Sequence, residues 1–208
     1  MMPGRFISLD GVDGGGKSTQ IKLLVEYLRS KGQTVVTFRD PGGTQLGETL
    51  REILLHRQEI PLVANAEMLV YMASRAQLVA ECIRPALESG HTVVTDRYLL
   101  ANVVYQGSAG GLDPAQIWQV GQIATDGLLP DLTLVLDIPV AQALKRIDRG
   151  LDRLESRGIE YLEKVRSGFL TQSQQLGDRV AIIDANAEVQ SVHAQIRQAV
   201  SKLYAASC

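Results

Sequence analysis

Gly11–Ser18 reads GVDGGGKS, a match to the pattern G-x-x-x-x-G-K-[ST]. It follows an apolar run, Arg5–Leu9 (RFISL). It leads into a segment whose apolar residues Ile21, Leu24, Val25 and Leu28 recur at helical spacing. Strand, glycine loop and helix in that order are the context that gives the pattern its meaning. Glycines let successive backbone N–H groups turn toward one anion, and the helix N-terminus adds partial positive charge. Lys17 is long enough to reach the outer phosphates of a nucleotide, and Ser18 can offer its hydroxyl to Mg²⁺. The expectation is a phosphate-binding loop within an α/β P-loop fold.

Outward from the loop, short β-branched or aliphatic runs alternate with longer helical patterns. Thr34–Phe38 (TVVTF), Thr92–Thr95 (TVVT), Leu132–Leu136 (LTLVL) and Val180–Ile183 (VAII) join Arg5–Leu9 as expected strands, and Asp96, Asp137 and Asp184 end three of them. Helical stretches are expected around Ala66–Leu87, Pro114–Leu129, Val140–Ile147 and Ile159–Leu176. A last one carries Val192, Ile196, Val200 and Leu203 on one face. Such alternation implies right-handed crossovers, hence a five-stranded parallel sheet with helices on both faces. Ligands of such sheets sit beyond the carboxyl ends of the strands, where those aspartates lie.

The 208 residues are 45% apolar and 21% charged, which excludes wholesale disorder. A chain of this size removes about 70% of its unfolded surface from water, enough for a core without disulfides or a structural metal. The formal net charge of −2 argues against coating a polyanion, so no nucleic-acid partner is expected. Cys82 and Cys208 form neither a disulfide framework nor zinc-ligand spacing. The opening MMPGRFISLDG has too short an apolar run for a signal peptide or membrane span, and a cytoplasmic location without a membrane partner is expected. No Asn-Lys-x-Asp guanine reader and no Leu-Ser-Gly-Gly-Gln motif occurs, which argues against a GTPase and an ABC-type ATPase. His56, His91 and His193 are scattered and suggest no catalytic constellation. Lys145–Arg157 (KRIDRGLDRLESR) concentrates five basic and three acidic residues.

The segments LDGVDGGGKST, FRDPGGTQLGETLR, YMASRAQLV, TDRYLLANVVYQG, LPDLTLVLD and DRLE, in that order, resemble the thymidylate kinase family from about Phe6 to the last helix. The resemblance implies one domain spanning residues 1–208 and transfer of the γ-phosphoryl group of ATP to dTMP with Mg²⁺. It also implies a homodimer through long helices including Ala66–Leu87. ATP would lie against Gly11, Val12, Asp13, Gly14, Gly15, Gly16, Lys17, Ser18, Thr19 and Arg146, with adenine near Asp184–Ala187. Ser18 and Asp96 would serve the metal. Asp13, Arg39, Arg51, Tyr71, Arg75, Arg97, Asn102, Tyr105 and Gln106 would hold dTMP. In that reading Tyr71 stacks on the base in place of the family's usual phenylalanine, and Arg75, four residues on, reaches its O4. Asn102 and Gln106 meet its N3, Tyr105 crowds the ribose 2′ position, and Arg97 grips the acceptor phosphate. Asp10 is a supporting residue behind them.

Positions 12–15 (Val-Asp-Gly-Gly) hold no base, so the arginine that neutralises the moving phosphoryl group must come from elsewhere. Arg146, Arg149 and Arg153 are the candidates, in a LID near Asp148–Gly158, with Arg153 the best match to DRLE and Lys17, Arg97 and Arg149 sharing the catalytic work. A kinase of another monophosphate such as dUMP, or a P-loop module that only binds nucleotide, are the competing readings. The acceptor set Tyr71, Arg75, Arg97 and Asn102 argues against the second.

Overall fold

A computed structural model describes residues 4–57, 59–147 and 157–205. Strands β1 (Phe6–Asp10), β2 (Val35–Arg39), β3 (Thr92–Asp96), β4 (Leu132–Asp137) and β5 (Val180–Asp184) form a parallel sheet in the order β2-β3-β1-β4-β5. Each expected strand is present and runs one residue past its apolar run, because the ladder continues through polar residues. Asp96 is in register with Leu9 and Arg39, and Asp137 with Asp184. Four strands therefore end in aspartate, Asp10 joining the three read from sequence. From central β1 the chain goes to one side for β2 and β3, then crosses to the other for β4 and β5. That reversal opens a crevice at the carboxyl ends of β1 and β3.

Every residue of β1 is buried, as a strand covered on both faces must be. Ile7, Leu9 and Val94 belong to one apolar cluster and Phe6 and Val93 to the other, which is the alternation of a pleated strand. The helices are α1 (Lys17–Ser30), α2 (Gln45–Leu55), α3 (Ala64–Leu78), α4 (Arg84–Glu88), α5 (Leu99–Asn102), α6 (Pro114–Thr125), α7 (Val140–Lys145), α8 (Ile159–Ser173) and α9 (Val189–Ala205).

Several helices differ from the sequence expectation. The stretch expected over Ala66–Leu87 is α3 and α4 joined through π-helical Val79–Ile83, and α5 likewise widens into π-helical Val103–Ser108. Helix α6 stops at Thr125 rather than Leu129, because Asp126 (φ +49°) and Gly127 (φ +70°) turn left-handed. Helix α7 stops at Lys145, and α8 passes at Ser173 into a 3₁₀ segment, Gln174–Arg179. Thr44 caps α2, its Oγ1 accepting from the Gly47 N–H at 2.9 Å. Among the described residues no helix is long and apolar enough to cross a membrane.

Candidate active site

The glycine loop leaves β1 and closes on the N-terminus of α1 with Gly16 at φ +87° as its cap. Gly14 takes φ +78°, and a Cβ there would stand 2.1 Å from the Ala143 carbonyl oxygen. Only glycine fits so close a backbone approach. The Lys17 ammonium lies back over its own loop, donating to the carbonyls of Gly11 (3.1 Å) and Val12 (3.0 Å) and pairing with Asp13 at 3.4 Å.

Two cavities meet beside this loop. The larger, about 760 Å³, is lined by Gly14 through Thr19, by Arg146, and by Ala185 and Ala187 after β5. The Arg146 Nη1 donates to the Ala185 carbonyl at 3.1 Å. Gly11 and Val12, expected against ATP, do not line it. Both are buried beneath the loop, with their carbonyls turned to Lys17. The smaller cavity, about 140 Å³, is lined by all nine residues expected to hold the monophosphate. Asp13 and Asp96 line both. Arg149, Arg153 and most of the expected LID lie outside the described residues.

Asp13 sits between the two basic groups. Burial alone would raise its carboxyl, but the charges of Arg97 and Lys17 outweigh it and hold the group well below the usual carboxylate range. Arg97 Nη1 donates to the Gly11 carbonyl (3.0 Å), and its Nη2 to Asp13 Oδ2 (2.8 Å) and the Tyr105 hydroxyl (3.0 Å). Its guanidinium lies 4.8 Å from the Tyr105 ring centroid. Asp10 lines neither cavity and is fully buried, which pushes it up to about 6 against the pull of Arg97 and Lys17. Asp96 Oδ1 is buried with no hydrogen-bond partner.

The far wall comes from α3, α5 and the π-helical turn after α5. Arg75 is 1% exposed. Its Nε donates to Asp40 Oδ2 at 2.5 Å and its Nη1 to Asn102 Oδ1 at 3.0 Å. The expected base-reading arginine is thus also the hub that ties the DPGGT turn to α5. Asn102 Nδ2 donates to Gln106 Oε1 at 2.7 Å. At the mouth, Arg51 Nη1 donates to the Pro41 carbonyl at 2.9 Å, while Arg39 pairs with Glu48 at 2.6 Å. Glu48 also accepts from the Gly43 N–H at 2.8 Å, which orients the turn. Glu48, Asp40 and Glu67 are not among the residues expected at the site. The carboxylate within DPGGT was the available signal for Asp40. Glu67 carries no local signal.

The chain matches the thymidylate kinase family model over residues 9–196. It is 45% identical over 190 residues to the thymidylate kinase of Rhodopirellula baltica, covering 91% of this chain and 77% of that protein. It is also 45% identical over 202 residues to the thymidylate kinase of Caldanaerobacter subterraneus subsp. tengcongensis, covering 97% of each. With that of Bifidobacterium longum it shares 42% over 205 residues, 97% of this chain and 100% of the relative.

Proposed function

The chain belongs to the thymidylate kinase family, and on that premise we propose that it transfers the γ-phosphoryl group of ATP to dTMP, giving ADP and dTDP. The supporting observation is the pair of cavities that share Asp13 and Asp96, one floored by the phosphate loop and the other ringed by Arg39, Arg51 and Arg97. A module that only binds nucleotide needs no second, arginine-ringed pocket. The ATP phosphates lie on the loop, with Lys17 turning from the Gly11 and Val12 carbonyls to the outer phosphates, and adenine lies toward Ala185 and Ala187. Thymine stacks on Tyr71, a contact worth about 1–3 kcal/mol. Arg97 presents its fork to the acceptor phosphate while Tyr105 holds it from the far side.

The acceptor is an already ionised phosphate monoester, so no general base is required. Catalysis is alignment plus charge neutralisation. Lys17 and Arg97 supply part of it. Arg153, with Arg149 and Arg146 as alternatives, supplies the arginine that spreads transition-state charge, an effect of order 10³–10⁵ in related P-loop enzymes. Mg²⁺ fits the residues present: Asp96 carries a buried, unpartnered carboxylate oxygen, and the Ser18 hydroxyl lines the same cavity. Hard oxygen donors of this kind suit an ion that binds through one or two protein groups and substrate phosphates. Bound there, it would neutralise the charge that develops on the phosphate groups during transfer.

The protein works as one cytoplasmic domain and pairs as a homodimer. Support for the pairing is the exposed apolar surface of Leu69 on α3 and Ile123 on α6, helices that pack together. The test is ADP release with Mg-ATP against dTMP, dUMP, dCMP, dGMP, CMP and UMP. Fast turnover is expected with dTMP and slower turnover with dUMP, since one methyl contact discriminates by about 1–3 kcal/mol. No turnover with dTMP overturns the assignment.

A further inference from the structure

Behind the base-facing wall runs a chain of side-chain hydrogen bonds that ends on Glu67 of α3. Arg75 Nη1 donates to Asn102 Oδ1 (3.0 Å), Asn102 Nδ2 to Gln106 Oε1 (2.7 Å), and Gln106 Nε2 to Glu67 Oε1 (2.9 Å). The other oxygen of Glu67 accepts from Arg157 Nη2 at 2.8 Å. Glu67, Asn102 and Gln106 are each under 5% exposed, whereas the Arg157 side chain is 35% exposed. Arg75, Asn102 and Gln106 line the smaller cavity. Glu67 does not.

The chain has a direction. A guanidinium only donates and a carboxylate only accepts, whereas each amide between them can turn over. Arg75 forces the Asn102 oxygen toward itself, and Glu67 forces the Gln106 NH₂ group toward itself. With both ends set, the two amides have one arrangement in which no like groups meet. In that arrangement a guanidinium donor stands beside an amide oxygen, a sequence that matches a pyrimidine carbonyl followed by a ring N–H. It opposes the amino group and unprotonated ring nitrogen of cytosine.

We propose that Glu67 is a positioning residue for base recognition: acting through Gln106, its acceptor oxygen fixes the amide chain in the orientation that selects a keto pyrimidine. This rests on the reading that the smaller cavity holds the base of dTMP. Without that oxygen Gln106 is free to turn over and take its acceptor away from Asn102. Asn102 would then keep only its tie to Arg75, and its oxygen would be held less firmly against the ring N–H, although no residue touching the base had been replaced.

The test separates the oxygen from the ion pair. Arg157→Met, Glu67→Gln/Arg157→Met and Glu67→Leu/Arg157→Met are compared with the wild-type protein, using Mg-ATP with dTMP and with dCMP. Glu67 is the buried member of the pair, and replacing such a charge together with its partner by apolar groups of similar volume is commonly neutral or stabilising, so the leucine variant is expected to fold, and a thermal melt checks it. The first two variants keep an acceptor at position 67 and should stay within about threefold of wild type in KM for dTMP. The leucine variant should raise that KM about tenfold and narrow the dTMP-over-dCMP preference about tenfold, with KM for ATP unchanged within about twofold. Leucine and glutamine variants that behave alike, both intact or both impaired, would overturn the proposal. Absence of dTMP turnover in the wild-type protein would instead overturn the functional assignment, and this inference with it.

Discussion

Arg97 takes φ +68°, a left-handed conformation that costs a non-glycine residue of order 1–3 kcal/mol. The surrounding contacts hold it there. Its N–H donates to the Leu9 carbonyl at 2.9 Å, and its guanidinium is shared among Gly11, Asp13 and Tyr105. The family resemblance implies Arg97 as a phosphate ligand, but no neighbouring residue announces the turn that aims it into the smaller cavity beside Asp13. Gly14 falls on a variable position of the pattern G-x-x-x-x-G-K-[ST], so its need for glycine likewise shows only in the fold. Its φ of +78° and the Ala143 carbonyl 2.1 Å from any added Cβ predict that Gly14→Ala deforms the loop. Calorimetry should show Mg-ATP affinity reduced at least tenfold and dTMP affinity nearly intact. Equal weakening of both would mean that the two cavities are less independent than their walls suggest.

At the scale of elements, the π-helical turn Val103–Ser108 brings Tyr105 and Gln106 to the same cavity as Asn102 of α5. Turns of this kind recur at functional sites. Helical periodicity in the sequence does not reveal where the extra residue is inserted, because the backbone adopts it in response to packing against α6 and α8. The pairing of α9 with α1 carries a pH consequence. His193 is 9% exposed, its Nδ1 has no partner, and its ring meets Tyr27 edge-on at 6.3 Å. Burial, aided by the charge of Arg197, lowers its pKa below the ordinary 6.5. The unfolded chain therefore takes up this proton first, and stability falls as pH drops through about 6.5. Asp10, raised to about 6, acts oppositely, since the folded state protonates first and gains stability as pH falls toward the unfolded value. Melting His193→Gln beside the wild type at pH 7.5 and 5.5 cancels the Asp10 contribution. The variant should lose less Tm on acidification, and parallel losses would contradict the argument.

For the whole molecule, stability and chemistry occupy different depths of the same sheet. Leu134 is fully buried in β4, in register with Leu9 and Ala181 and away from both cavities. Leu134→Ala should cost about 2–5 kcal/mol. For a chain of this length, Tm should fall by about 2–4 °C per kcal/mol, with kcat near wild type well below the transition. A large fall in kcat at full foldedness would show that the sheet interior governs site geometry more tightly than this. The phosphate loop, the five strands and their parallel pairing were determined by the sequence itself, and the motif segments that supply the lining of the smaller cavity were named through its family resemblance. Each is written in a few consecutive residues or in a short-range period. The strand order, the π-helical turns, the left-handed Arg97 and the meeting of Glu67, Gln106 and Arg157 were decided by the tertiary structure. These depend on which crossover packs against which face, and the partners that satisfy a buried polar group are chosen by that packing across long stretches of chain.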